Sequence, residues 1–290
     1  MVIIWGANFS VIKYALREFS PIAFNVLRLV LASAVFLIAI AMATERPRRD
    51  RPPDPPLTSA EWTRIVILGV IGHFFYQLAF LAGVARTSVS NSALIFGTTP
   101  VAVALLASIS GHERVPVARW VGAALSVAGI YIIVGHAATI GGRTLVGDFL
   151  VFCGMFCWSI YSVLAQPLLR RRSLLIVTGY SMTIGAVLFA IVSVPWLVST
   201  DWRTISAGSW LAMMLSSLLA LAFSYMIWYT AVQRIGSSRT ALYSNLTPVV
   251  AMVVAALWLG EHITAIQIAG AATILAGLFV ARLGPTASQA

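Results

Sequence analysis

The sequence predicts an all-α integral membrane protein, with ten transmembrane helices in two inverted five-helix repeats. Three observations carry that prediction. Of the 290 residues, 60% are hydrophobic and only 10% charged, where an ordinary soluble domain has roughly 45–50% apolar and about 25% charged residues. No soluble interior of this size hides so much apolar side chain, and the bilayer is the solvent that fits. The apolar residues fall into ten runs, each near the ~20 residues a span needs. The chain also repeats itself: "SALIFGTTPVAVALLASISGHE" from Ser92 and "TALYSNLTPVVAMVVAALWLGE" from Thr240 align at a shift of 148 positions, sharing Ala-Leu, Thr-Pro-Val and a final glutamate.

The runs are justified in order. Residues 2–18 lack the basic start and small-residue cleavage site of a signal peptide and are expected to form the first span, with a few native residues missing ahead of it. Residues 21–43 form the second and carry Arg28 several positions inside. The interruption that follows, "ERPRRDRPPDPPLTSAEW", is Pro-rich and charged. It reads as a connector closed by Thr58 and Glu61 in capping-box spacing, which starts the third span at 61–86. The fourth, 89–110, has Pro100 near its middle, and the fifth, 115–135, is Gly-rich. The sixth, 145–166, holds the only two cysteines, Cys153 and Cys157. One helical turn apart and without histidine nearby, they read as small buried hydrophobes rather than as a metal or redox site. The remaining spans are 173–197, 208–233, 238–259 with Pro248, and 263–283. Short connections leave little over for an extramembrane domain, and the repeats divide as 1–138 and 139–290.

Charge sets the orientation. With a cytoplasmic N-terminus, thirteen Lys and Arg residues fall on the inner side, while Lys13, Arg17, Arg86, Arg143 and Arg203 fall on the outer side. Intramembrane Arg28 is set apart. The positive-inside rule then puts both termini in the cytoplasm. The formal charge of +10 sits in the breaks between apolar runs, so it speaks for membrane orientation and against nucleic acid. A five-span unit copied in tandem enters the membrane the opposite way up the second time. The halves are then related by an axis in the membrane plane, a hallmark of secondary transporters.

The proline in each of spans four and nine frees a carbonyl, that of Phe96 or Ser244. A helix facing a cavity tolerates this, and Thr99 with Gly97, or Thr247 with Asn245, can re-satisfy the backbone. Pro100 and Pro248 therefore stand either as static kinks or as hinges. Polar and aromatic residues share helix faces at spacings of three and four: Trp5, Asn8 and Phe9; His73, Tyr76, Gln77 and Phe80; Trp158 and Tyr161; Tyr225, Trp228 and Tyr229; Tyr243, Ser244 and Asn245. Such stripes serve either helix packing or a cavity wall, and together they suit small amphipathic ligands better than multiply charged ones. Arg28 at depth is expected either to touch substrate or to pair with the protein's own polar groups, and His73 allows proton coupling. Glu113 and Glu261, in the turns after spans four and nine, read as capping groups. No acid lies at mid-span, which disfavours a carboxylate-centred antiporter. Gly122, Ser126, Gly129, Gly270 and Gly277 form packing ridges, and spans five and ten are expected at the periphery, buttressing the halves or making a dimer contact. There is no zinc-protease motif, P-loop or nucleophile elbow, so no enzyme, cofactor or bound metal is expected.

These residues resemble a known family. "WGAN" in the first span, "LRLVLA" around Arg28, the doubled Thr-Pro, the turn glutamates and the Gly-rich fifth and tenth spans are similar to the EamA branch of the drug/metabolite transporter superfamily, over essentially the whole chain. Within it the chain looks most similar to YddG-type bacterial inner-membrane exporters of aromatic and other amino acids. The resemblance implies a multi-pass inner-membrane protein with both ends cytoplasmic and a cavity between spans one to four and six to nine. It implies Asn8, His73, Tyr76, Gln77, Trp158, Tyr161, Tyr225, Trp228 and Asn245 as substrate-binding candidates, with Pro100 and Pro248 at hinges. Expected partners are a small-molecule substrate and the lipid bilayer, with a monomer or weak homodimer as the assembly. The alternative is a multidrug, phosphorylated-metabolite or nucleotide-sugar carrier of the same fold.

Overall fold

In the computed structural model of the chain, the described residues are 1–45, 56–109, 117–140, 142–242, 244 and 247–282. They form helices and no strand. The helices are α1 (Val2–Ala15), α2 (Pro21–Glu45), α3 (Ser59–Arg86), α4 (Val89–Ile109), α5 (Val117–Ile140), α6 (Gly142–Leu169), α7 (Leu174–Ser199), α8 (Ala207–Ile235), α9 (Thr247–Leu259) and α10 (Ala265–Arg282). A short helical segment, Ser237–Leu242, precedes α9. Among the described residues six helices are long and apolar enough to cross a membrane: α2, α3, α4, α6, α7 and α8. Four shorter apolar helices stand at the other expected spans. The outer surface carries large apolar side chains, Leu257 at 84% exposure and Phe279 and Phe149 at 63% each, which only lipid solvates cheaply.

Local chemistry sets several helix ends. Thr58 and Glu61 form the expected capping box at the start of α3. Arg172, beyond the end of α6, also binds that glutamate, donating from Nε to Oε1 at 2.8 Å and from Nη2 to Oε2 at 2.7 Å. Glu261 caps α4, accepting from the Val89 and Ser90 amides at 2.9 and 3.2 Å and from the Ser90 hydroxyl at 3.0 Å. Gly260, at φ +68°, adopts the left-handed conformation that glycine favours and turns the chain out of α9 toward α4. Glu261 is therefore a capping group, and its counterpart Glu113 lies outside the described residues.

Three helices contain a π-helical stretch, Val70–Phe75 in α3, Ser216–Phe223 in α8 and Ala255–Leu259 at the end of α9. The first maps into the second at the 148-residue shift, and each of these two meets the other half of the chain. α1 and α2 pack on the π stretch of α8, while α6 and α7 pack on that of α3. α2 packs along α7, α1 along α9, α6 along α4, and α5 along α10. In the last pair a side chain at Gly129 would press on Ile274 and stand 2.9 Å from the Gly270 carbonyl, so the glycine ridges join α5 to α10. The cysteines are free and half-buried rather than fully buried.

Candidate binding cavity

The centre of the bundle, where α1, α3, α6 and α8 approach one another, is aromatic. Trp5 stands edge-on to Trp158 at 5.9 Å and tilted against Trp228 at 5.3 Å, and Trp158 lies 5.1 Å from Tyr225 and 5.3 Å from Tyr76, between ring centroids. The Trp5 indole N–H donates to the Ala220 carbonyl at 2.9 Å. Ala220 lies in the π stretch of α8, whose widened turns open the backbone ladder to an outside donor. In α3 the corresponding residue is Gly72, where a side chain would overlap the ring of Tyr161. The π stretches of α3 and α8 thus each receive an aromatic ring from the other half.

These rings wall a cavity of ≈ 60 Å³. Such a space admits a few waters, and a bulkier occupant requires wall side chains to move. Among the sequence candidates, Asn8, Tyr76, Trp158, Tyr225 and Trp228 line it. His73, Gln77 and Tyr161 stand behind the wall. His73 Nε2 lies 3.2 Å from Tyr161 Oη, which is 3.1 Å from Ser181 Oγ, and Gln77 Oε1 accepts from Arg28 at 2.6 Å. Asn245 lies outside the described residues. Pro100 and Pro248 are buried next to the cavity rather than in it.

The broken helix α4 behaves as its proline dictates. Its α-helical segments end at Phe96 and resume at Thr99, and the Thr99 hydroxyl donates to the Phe96 carbonyl at 2.6 Å. Its counterpart Thr247 lines the cavity with no partner for its hydroxyl. Lining residues with no distinctive sequence signal are Ala93, Ala220 and Leu221; small and aliphatic, they look like any packing position.

Arg28 is fully buried, at 1% exposure, and lines the cavity. It neither snorkels nor binds backbone carbonyls through its side chain. Its guanidinium donates to Ser216 Oγ at 2.9 Å, Gln77 Oε1 at 2.6 Å and Asn25 Oδ1 at 3.3 Å. All three acceptors are neutral.

Beyond Phe80, which lines the cavity, α3 and α6 come into close contact. The second half of α3 lies against the first half of α6, with Gly83, Gly147 and Gly154 at backbone contact distance from the facing helix. Lys13 Nζ donates to the Val84 and Thr87 carbonyls at 2.9 and 2.6 Å. Thr87 and Asn91 donate to buried Asp148 at 2.6 and 3.2 Å, and Gln267 from α10 donates to Asn91 at 2.8 Å. The exchange-related contact, between the second half of α8 and α1, is not formed to a comparable extent; α1 packs on the first half of α8 instead.

The EamA-like transporter family model matches residues 1–135 of the chain and again 145–283. The chain belongs to this family. Relatives of this EamA-like chain include "Uncharacterized transporter YyaM" of Bacillus subtilis, 30% identical over 279 residues that cover 95% of this chain and 89% of the relative. Another is "Probable terminal-alkyne amino-acid exporter" of Streptantibioticus cattleyicolor, 29% identical, covering 96% and 90%. A solved crystal structure superposes with a TM-score of 0.69 over 97% of this chain and 94% of its own, at 18% identity, and shows the shared fold. The chain is a multi-span membrane protein of a transporter family, as its sequence led one to expect.

Proposed function

We propose that this EamA-like protein is a secondary exporter of amino acids, aromatic or neutral, or of related small metabolites, acting by alternating access across the bacterial inner membrane, and not an enzyme. On this reading ten helices cross the bilayer as two inverted halves, 1–138 and 139–290, with both termini cytoplasmic, in the manner of YddG-type exporters. The correspondence of the α3 and α8 π stretches at the repeat shift and the exchange-related helix pairs support the inversion.

The observation that carries the transport reading is the asymmetry of the two ends. On this reading the glycine-backed contact and polar bonds where α3 meets α6 seal the cavity, while the equivalent meeting of α8 with α1, which is less closely packed, leaves it open. In an inverted-repeat carrier that difference distinguishes the two access states. With a cytoplasmic N-terminus the sealed end faces outward, so the cavity takes substrate from the cytoplasm. Aromatic walls with scattered amide and hydroxyl groups suit a bulky neutral side chain. Among the described residues Arg28 is the only Lys or Arg lining the cavity, too few for a nucleotide sugar or sugar phosphate. Pro100 and Pro248 serve as hinges of α4 and α9, and Asn245 is carried from the sequence as a substrate-binding candidate.

Counterflow in proteoliposomes containing only this protein tests the reading with labelled amino acids of each class. Accumulation above empty liposomes, weakened by Trp158→Ala or Asn8→Ala, is the expected result. Absence of accumulation for every amino acid, with folded protein in the vesicles, removes the amino-acid assignment.

A further inference from the structure

We infer that Arg28 is the carboxylate-binding residue of the cavity, so that the transported ligand is an amino acid, or another small apolar acid, held by its carboxylate. The inference rests on the exporter reading above and deepens it.

Charge comes first. A guanidinium at 1% exposure inside a membrane protein costs several kcal/mol unless it is paired, and Arg28 has no carboxylate partner among the described residues. Its bonds to Ser216, Gln77 and Asn25 satisfy three of five N–H donors. Two remain, and Nε, which is buried, has no partner. The chain holds this side chain rigidly: Gln77 comes from α3, Ser216 from the π stretch of α8, and the Ser217 hydroxyl ties the Arg28 carbonyl to the same stretch at 2.7 Å. Neutral amides and a hydroxyl orient a positive charge without cancelling it, which is what recognition of an anion requires.

The rest of the cavity completes the complement. Asn8 Oδ1 and the Thr247 hydroxyl are lining groups without partners, and both can accept a hydrogen bond from an ammonium group. The indoles of Trp5, Trp158 and Trp228 offer apolar faces to a side chain. A positive residue in the wall also repels cations, so the aromatic cage is set against cationic drugs despite the attraction of its rings.

The experiment is competition against labelled L-phenylalanine on the purified, full-length protein in detergent, with four unlabelled probes: L-phenylalanine, 3-phenylpropionate, phenylalaninamide and 2-phenylethylamine. Both carboxylate probes are expected to compete at least about tenfold better than the amide and the amine, because a hydrogen bond to a charged group is worth ~1.5–3 kcal/mol. Arg28→Lys is expected to keep part of that preference and Arg28→Gln to abolish it. If Arg28→Gln fails to fold, the probe series on the wild-type chain decides alone. Amide and amine competing within about twofold of phenylalanine would overturn the Arg28 assignment while leaving an amino-acid exporter standing. If labelled phenylalanine does not bind, labelled 3-phenylpropionate replaces it. Arg28-dependent binding of that acid keeps the carboxylate site and removes only the amino-acid reading, and binding of neither acid removes both.

Discussion

Pro248 of α9 seats its ring on Gly97 of α4: a methyl group at position 97 would stand 2.7 Å from Pro248 Cγ and 3.1 Å from the Leu94 carbonyl. Gly97, in the break of α4, therefore touches the first turn of α9, beside a cavity that Gly97 itself lines. On the alternating-access proposal, movement of one half against the other would pass through this contact.

Gly97→Ala is accordingly expected to destabilise the protein by ~1–3 kcal/mol, the usual cost of overpacking, and to lower transport more than its stability loss alone would. Pro248→Ala added to Gly97→Ala should recover part of both losses, since it removes the atoms being struck. A double-mutant cycle on counterflow rate and on thermal unfolding measures the coupling. Strict additivity of the two substitutions would show that the contact is incidental.

Tyr161 and Gly72 make a second such pair, in which a glycine admits a ring at the π stretch of α3. Gly72→Ala is expected to lower the unfolding temperature strongly, and Tyr161→Phe mildly. The phenylalanine keeps the ring but leaves His73 Nε2 without its hydroxyl partner, at a cost of ~1–3 kcal/mol for a buried polar group left unmet, while Ser181 Oγ keeps its bond to the Thr178 carbonyl. Thermal unfolding of the two variants in one detergent checks the order, and Tyr161→Phe proving the more damaging would contradict it.

The sequence made some of this legible and hid the rest for physical reasons. The apolar runs, the capping box and the Thr99-satisfied carbonyl follow from local chemistry, and the structure has all three. The helix faces named Asn8, Tyr76, Trp158, Tyr225 and Trp228, which line the cavity, but placed His73, Gln77 and Tyr161 beside them. At spacings of three and four a helix face spans a wide arc, and only the packing partner decides which edge faces the cavity. The Arg28 network joins residues 49 and 188 positions apart, and the Arg172–Glu61 pair spans 111. No local pattern announces either. The π stretches were equally silent, because an inserted turn depends on what packs into it rather than on propensity.

Glu261 and Lys13 bind backbone groups of the α3–α4 junction, at the end of the cavity proposed above to be sealed. Loss of the Glu261 cap is expected to cost ~1 kcal/mol and to favour opening at that end. Val84, fully buried beside it, reports the change. In a background of Cys153→Ala and Cys157→Ala, a Val84→Cys chain should resist a membrane-impermeant maleimide, and adding Glu261→Ala should raise its labelling several-fold. Equal labelling in both chains would mean that these bonds do not gate access.

Glu18 gives a prediction in pH. It lies in the turn between α1 and α2 and accepts from the Ser206 amide at 2.8 Å and the Ser206 hydroxyl at 2.9 Å, joining that turn to the residue that caps α8. The Ser206 amide above all, and then the Ser209 and Ser206 hydroxyls, hold its carboxyl below its ordinary value of 4.5. A carboxyl with a depressed folded value stabilises the fold fully above its unfolded value, and that contribution is lost as pH falls through the folded one. The difference in unfolding temperature between the wild-type chain and Glu18→Gln should therefore be constant from neutral pH down to about 5 and close on further acidification. Because Glu18 is exposed to solvent, salt should narrow the difference at neutral pH as well. A gap that persists unchanged to about pH 3, or widens there, would show that the carboxylate form contributes nothing at this cap.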